Sequence, residues 1–187
     1  MPTHSSILLI EDSPGECELF RLALVQTGLD VALYTEHDAD AAFHFLEDRA
    51  YHLQWSFQAR SLTPPEGDLS RSPTARMQRG ESATARCAST GDRSGLPSLI
   101  LLDLNLRGQN GCDFLKRLRA DARFATIPVV VFTTSDDQHD LSRCYASSAN
   151  GYVVKPGTFA ELVHCTADLC RYWLTWNRSP SMVETKC

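Results

Sequence analysis

Three short runs of consecutive apolar residues constrain the fold of this chain most strongly, because each run stops at a polar functional group. The runs are Ile7–Ile10, Leu99–Leu102 and Val129–Phe132, followed by Glu11, Asp103 and Thr133. Short continuous apolar runs are typical of strands that are buried on both faces of a parallel sheet. The pattern predicts an α/β fold with carboxylates and a hydroxyl at the carboxyl ends of its strands.

Segments with helical periodicity alternate with these strands. Ser13-Pro14 and Gly28 bound the first helix, and a second strand at 31–35 precedes a helix from Asp38 to about Leu46. Further helices are predicted after Asn110-Gly111, over 138–148 and from Phe159 to Trp173, with a last strand at 151–154. Five strand-then-helix units predict a doubly wound, five-stranded parallel sheet with helices on both faces.

The interval 52–96 interrupts this rhythm. It is rich in Ser, Thr, Arg, Gly and Pro and has no sustained periodicity, so we expect a long flexible insertion between the second helix and the third strand. The rest forms a single domain over 1–187, with its core at 6–176 and a tail at 177–187. A loop that the domain tolerates and a partner-binding loop both fit the arginine-rich composition of the insertion.

Composition excludes several classes of protein. The chain has 187 residues and a net charge of -5, so it lacks the basic surface that nucleic-acid binding requires. No apolar run approaches the length of a membrane span, and residues 1–6 are unlike a signal peptide. A cytoplasmic protein without nucleic-acid or membrane partners is predicted. Its seven cysteines form no CxxC pair and are expected to be free thiols, with Cys87 or Cys187 able to cross-link under oxidation.

Polar residues at four strand ends should meet at one edge of the sheet. They are Glu11 and Asp12, Asp103, Thr133 and Lys155. Ligands of doubly wound sheets bind outside the carboxyl ends of the strands, which is where these side chains converge. Three acids packed together repel one another unless a cation neutralises them, and an oxygen-only cluster favours a hard ion such as Mg²⁺.

This set of residues is suited to phosphoryl transfer. Asp103 would be the nucleophile, while Lys155, the Thr133 hydroxyl and backbone N–H groups near Asn105 would hold the transferred group. Each residue alone has an ordinary structural explanation, such as a helix cap or a loop Lys-Pro pair. Their joint occurrence at strand ends that converge favours the functional interpretation.

Four motifs resemble the receiver domain of two-component response regulators. They are Ile-Leu-Leu-Ile-Glu-Asp-Ser at 7–13, Leu-Ile-Leu-Leu-Asp-Leu-Asn-Leu at 99–106, Val-Phe-Thr-Thr-Ser at 131–135 and Gly-Tyr-Val-Val-Lys-Pro at 151–156. The resemblance implies a flavodoxin-like fold with strand order 2-1-3-4-5. It also implies phosphoryl transfer from a histidine kinase to Asp103, with Mg²⁺ held by Glu11, Asp12, Asp103 and the Asn105 carbonyl.

The same resemblance assigns the residues around the phosphoryl group. Thr133, Thr134 and Lys155 would bind the phosphate, and Thr133 and Tyr152 would form the conformational switch. A cis bond is implied before Pro156, which would orient the lysine. Asn105 and Ser135 match the positions that tune hydrolysis of the acyl phosphate in this family.

A finer similarity lies at the end of the last helix. Tyr-Trp-Leu-Thr at 172–175 resembles the stand-alone regulators that are paired with phytochrome-type histidine kinases. Proteins of that kind often form homodimers through the last strand and helix, which we expect here. The simpler alternative, that Trp173 and Trp176 anchor the helix end to the domain, is compatible with this interpretation.

The predicted function is signalling through protein contacts, because few residues follow the last helix. A switch that binds a target and a phosphorelay intermediate that passes its phosphoryl group to a histidine phosphotransfer protein both remain open. An aspartyl-phosphate hydrolase is disfavoured, since that class requires a second acid where this chain has Asn105. The chain is therefore predicted to catalyse no reaction beyond its own phosphorylation and slow dephosphorylation.

Overall fold

The computed structural model describes residues 5–61, 95–106 and 108–179, which form a parallel sheet covered by helices on both faces. The sheet strands are β1 (Ser6–Ile10), β2 (Ala32–Glu36), β3 (Leu99–Leu102), β4 (Val129–Thr133) and β5 (Gly151–Val154). Neighbouring strands all pair in parallel, in the order β2-β1-β3-β4-β5. The predicted doubly wound, flavodoxin-like fold and its strand order are confirmed.

The helices begin close behind the strands. They are α1 (Pro14–Gln26), α2 (Ala39–Ser61), α3 (Gly111–Ala120), α4 (Gln138–Ala146) and α5 (Phe159–Cys170), and α5 continues as a π-helix over Arg171–Trp176. Side chains cap several of them, including Ser13 at α1, whose Oγ accepts a hydrogen bond from the N–H of Glu16. This cap holds the first turn of α1 directly above the end of β1.

Alternation along the strands divides the core into two layers. In β1, Leu8 and Ile10 belong to the layer that includes residues of α2, α3 and α4, while Ile7 and Leu9 belong to the layer that includes residues of α1 and α5. These four side chains are at most 2% exposed, as expected for a strand that is covered on both faces. Burial on both faces leaves the strand ends as the place where polar groups of the sheet can meet a ligand.

The second helix is longer than predicted. It runs to Ser61 instead of ending near Leu46, so the predicted insertion at 52–96 begins with ten helical positions at 52–61. The sequence explains the difference, because no Gly or Pro occurs between Ala39 and Thr63 to stop the helix. The remainder of the predicted insertion up to residue 94, and the tail from residue 180 onward, lie outside the described residues.

Cysteines Cys17, Cys112, Cys144, Cys165 and Cys170 are free, as predicted, and the Sγ atoms of Cys112 and Cys144 lie 3.2 Å apart between α3 and α4. Burial raises the pKa of the Cys144 thiol to about 12, which keeps this thiol protonated. Cys87 and Cys187 lie outside the described residues.

Within the described ranges, no helix combines the length and the apolar composition that a membrane crossing requires.

Candidate functional site

The sheet extends by one residue past three of its strands, and this extension positions the site. The N–H of Glu11 donates to Glu36 O at 2.9 Å, that of Asp103 to Ile10 O at 3.0 Å, and that of Lys155 to Thr133 O at 2.7 Å. The ladder of the sheet therefore fixes the backbone of these residues, and their side chains project from one edge.

Lys155 lies at the centre of the site. Its ammonium donates to Glu11 Oε2 at 2.5 Å, to Asp103 Oδ2 at 3.2 Å and to the carboxylate of Glu16. Its side chain is 10% exposed, while those of Glu11 and Asp103 are 2% and 7% exposed. The lysine compensates acids that would otherwise be buried without a counter-charge.

Burial and charge shift the titration of these groups in opposite ways. Burial raises the pKa of Glu11, although the hydrogen bonds from Lys155 and from the N–H of Ser13 oppose this shift. Burial alone would lower the pKa of Lys155, but its hydrogen bonds to Glu11 and Glu16 and the charge of Asp103 outweigh it and raise that pKa. The ammonium is therefore charged throughout the physiological pH range.

Asp103 is oriented by the backbone that follows it. Its Oδ1 accepts hydrogen bonds from the N–H groups of Leu104 at 2.6 Å and Asn105 at 3.3 Å, which leaves Oδ2 facing Lys155. Asn105 itself is exposed and begins a short hairpin in which Asn105–Leu106 pairs with Gln109–Asn110. Its predicted parts in metal binding and hydrolysis stay predictions.

Gly111 packs directly against the backbone of Asp103, which the sequence analysis did not anticipate. A Cβ at this position would lie 2.4 Å from the carbonyl oxygen of Asp103 and 3.0 Å from the Cα of Leu104. The N–H of Gly111 also donates to Leu104 O at 3.1 Å. Glycine is required here because the start of α3 approaches the acceptor loop more closely than a side chain permits. The only hint in the sequence was the Asn110-Gly111 pair, which marks the start of the helix.

The predicted switch residues are linked through one loop. Thr133 is fully buried, and its Oγ1 accepts from the N–H of Ser135 at 3.4 Å. The hydroxyl of Tyr152 donates to Ser135 O at 2.9 Å, which connects the ring to the same loop. Ser135 Oγ in turn donates to Asp140 Oδ2 at 2.8 Å at the start of α4. A movement of Thr133 would therefore reach both Tyr152 and α4.

The structure places Glu16 beside Glu11 and Asp103. Among the described residues, the carboxylate oxygens of Glu11, Glu16 and Asp103 form a group within 4.8 Å of one another that could hold a metal ion, and Asp12 is outside it. The predicted part of Asp12 in metal binding stays a prediction. The first turn of α1 brings Glu16 to the site, a position that helix spacing from Ser13 could have indicated.

The predicted cis bond before Pro156 is wrong, since no peptide bond in the described ranges is cis. The trans form is the default for a bond before proline by about 0.5–1 kcal/mol. The hydrogen bond from Lys155 N to Thr133 O already directs the lysine towards its partners, so the trans bond is compatible with its position.

A cleft of about 180 Å³ opens beside the site between α1 and α5. Most of the side chains that line it are apolar, and the others include charged groups of the site. It is lined by Leu9, Glu11, Glu16, Leu19, Phe20, Phe132, Thr134, Lys155, Pro156 and Leu162. Thr134, which was predicted to bind phosphate, is therefore placed where a group entering the cleft would meet it.

A sequence model of the family described as "Response regulator receiver domain" matches residues 72–167, which is more than half of the chain and includes Asp103, Thr133 and Lys155. The chain belongs to the response regulator receiver domain family, and the resemblance seen in the strand-end motifs is confirmed. Domains of this family are components of two-component signalling.

Two relatives place the chain within this family. Response regulator Rcp1 of Synechocystis sp. is 27% identical over 168 residues, covering 90% of this chain and 88% of Rcp1. The "Probable methanogenesis regulatory protein FilR2" of Methanothrix harundinacea is 43% identical over 90 residues, covering 48% of this chain and 57% of FilR2. The chain thus spans most of Rcp1 but little more than half of FilR2.

Solved structures agree with this placement. The phosphorylated cyanobacterial phytochrome response regulator RcpA matches with a TM-score of 0.66 and 24% identity, covering 96% of this chain and 100% of RcpA. The Mn²⁺-bound form of Rcp1 matches with a TM-score of 0.64 and 25% identity, covering 95% and 99% of the two chains. The predicted similarity to phytochrome response regulators is confirmed.

Proposed function

We propose that this chain, as a single receiver domain over residues 1–187, accepts a phosphoryl group on Asp103 from a sensor histidine kinase. The observation that carries the proposal is the contact of one ammonium, that of Lys155, with both Asp103 and Glu11 at the ends of three strands. A buried carboxylate beside a fixed positive charge is the arrangement that phosphoryl transfer to an aspartate requires.

The transfer itself is a substitution at phosphorus. A carboxylate oxygen of Asp103 forms the new P–O bond, the P–N bond to the donor histidine breaks, and its electron pair returns to the imidazole. Lys155 and the hydroxyls of Thr133 and Thr134 stabilise the charge on the transferred group. The cleft beside the site is lined by Lys155 and Thr134, two of the residues that would meet the phosphoryl group.

A divalent ion fits the oxygen-only donor set of this site. Glu11 and Asp103 would hold Mg²⁺, completed by Asp12 and the Asn105 carbonyl, and the relative Rcp1 has been solved with Mn²⁺ bound. The ion would neutralise charge on the acids and on the phosphoryl oxygens. Lys155 contacts Glu11 and Asp103, so it would share these two carboxylates with the ion.

Phosphorylation would act on other proteins through the loop that joins Thr133 to Tyr152. An inward shift of Thr133 towards the phosphoryl group would pull Ser135, whose carbonyl holds the Tyr152 hydroxyl. Asn105 and Ser135 would set how fast water reaches the acyl phosphate. The name of the phytochrome response regulator RcpA supports a phytochrome-type kinase as phosphodonor. Transfer onward to a histidine phosphotransfer protein is a further route for the same group.

Mutation of Asp103 tests the proposal. Wild-type protein incubated with Mg²⁺ and acetyl phosphate should gain an acid-stable, base-labile phosphate, and Asp103→Asn should gain none, because an amide oxygen is a poor nucleophile. The readout is intact-mass spectrometry of the protein. Asp113→Asn is the matched control, since this exposed aspartate pairs with Lys116 on α3 and should label like wild type. Labelling that persists in Asp103→Asn would refute the assignment.

A homodimer through the last strand and helix is also proposed. Strand β5 is an edge of the sheet, and Val154, Phe159, Tyr172 and Trp176 present exposed apolar surface there. Trp176, whose side chain is 71% exposed, should contribute most of the contact. We expect Trp176→Ala to shift the protein to monomer in sedimentation velocity, with Leu29→Ala, on the opposite edge of the domain, leaving the profile unchanged. A monomeric wild type would contradict this prediction.

A further inference from the structure

All three N–H groups of the Lys155 ammonium already have an acceptor. Glu11, Glu16 and Asp103 each take one, and an ammonium has no fourth donor. A phosphoryl oxygen that binds Lys155 must therefore displace one of these carboxylates. The contact that breaks should be the one whose carboxylate is most easily hydrated after its release.

The exposures of the three acids differ widely. The side chains of Glu11 and Asp103 are 2% and 7% exposed, so release would leave a buried charge without its partner. The side chain of Glu16 is 40% exposed and can be hydrated where it stands. Glu16 is therefore the contact that Lys155 gives up at least cost.

Helix α1 keeps Glu16 at the mouth of the site. The N–H of Glu16 donates to the capping Oγ of Ser13 at 3.4 Å, and Glu16 lines the same cleft as Lys155. The carboxylate is therefore held by a structured first turn and returns to Lys155 whenever the phosphoryl group leaves. The Glu16 carboxylate and an incoming phosphoryl oxygen therefore require the same N–H group of Lys155.

We propose that Glu16 is a positioning residue that competes with the phosphoryl group for Lys155 and so lowers the affinity of the acceptor site for that group. The inference rests on the proposed phosphorylation of Asp103 and adds a residue that the strand-end motifs do not contain. Glu16 holds the lysine in place before transfer, and its release accompanies the arrival of the phosphoryl group.

Beryllofluoride, which mimics a phosphoryl group on a carboxylate, provides the test. Its affinity for the full chain in the presence of Mg²⁺ is measured by calorimetry for wild type, Glu16→Gln and Glu16→Ala. Loss of one partly exposed charged contact predicts about five-fold tighter binding for both variants. Glu18→Gln is the matched control, because Glu18 lies on the same helix and pairs with Arg21 on the surface. It should bind as wild type does.

Two further measurements separate this role from others. The gain should persist at high salt, where long-range repulsion between Glu16 and the ligand is screened, and its loss there would overturn the proposal. Mg²⁺ affinity without beryllofluoride should be unchanged or higher in the variants, whereas weaker Mg²⁺ binding would make Glu16 a metal ligand and refute it. Equal or weaker beryllofluoride binding by the variants refutes this inference alone. A wild type that binds no beryllofluoride refutes the phosphorylation of Asp103 as well.

Discussion

Lys155→Met is expected to lower the free energy of unfolding by about 3 kcal/mol at neutral pH in the absence of divalent ions. The ammonium faces three carboxylates, of which Glu11 and Asp103 are almost completely buried. Methionine has a similar length but no charge, so these acids would repel one another without compensation. Urea unfolding followed by far-ultraviolet circular dichroism measures the loss.

The loss should depend on pH in a defined direction. Burial already raises the pKa of Glu11, and removal of the ammonium raises it further. A carboxyl group whose pKa is higher in the folded than in the unfolded state binds more protons when folded, so stability falls as pH rises through that range. The difference between Lys155→Met and wild type should therefore be smaller at pH about 5 than at pH about 7.5.

Divalent ions and a surface variant provide the controls for this prediction. Mg²⁺ should stabilise Lys155→Met more than wild type, because the ion replaces the missing charge among the acids. Lys116→Met removes an exposed lysine that pairs with Asp113, and it should change stability by no more than about 0.5 kcal/mol. If Lys155→Met is as stable as wild type at neutral pH without metal, the lysine does not balance the buried acids.

The strand-end residues could be predicted from sequence because a parallel sheet brings its strand ends to one edge. Each apolar run identified a buried strand, and topology then placed Glu11, Asp103, Thr133 and Lys155 together without any knowledge of side-chain geometry. The same reasoning did not find Glu16, which is on a helix and not at a strand end. Its place beside the acids depends on how the first turn of α1 leaves the strand, which is a local backbone property.

Three further features of the structure could not be predicted, because the periodicity of apolar residues carries no information about them. The length of α2 depended on the absence of helix-breaking residues up to Ser61, although the apolar periodicity fades well before that point. The isomer of the bond before Pro156 is set by a balance of about 1 kcal/mol or less, which tertiary contacts decide. The importance of Gly111 lies in a backbone approach between α3 and the loop after β3, which no periodicity encodes.

Gly111→Ala is expected to destabilise the protein by about 2 kcal/mol and to slow phosphorylation of Asp103. The added methyl group would lie 2.4 Å from the carbonyl oxygen of Asp103, a backbone atom that has no rotamer with which to move aside. Either α3 or the acceptor loop must shift. A shift of the loop displaces the carboxylate from Lys155, so the effect should appear in the rate of acetyl phosphate labelling as well as in urea unfolding.

Helix propensity predicts the opposite sign, and this makes the experiment decisive. Gly111 begins α3, where alanine is intrinsically favoured over glycine by up to about 1 kcal/mol. Gly15→Ala in the first turn of α1 is the matched control, since a Cβ there would lie at an ordinary van der Waals distance of 3.8 Å from Ser13 Oγ. Gly15→Ala should be neutral or stabilising by about 0.5 kcal/mol with unchanged labelling. If both variants stabilise the protein alike, the contact between Gly111 and Asp103 does not constrain the acceptor loop.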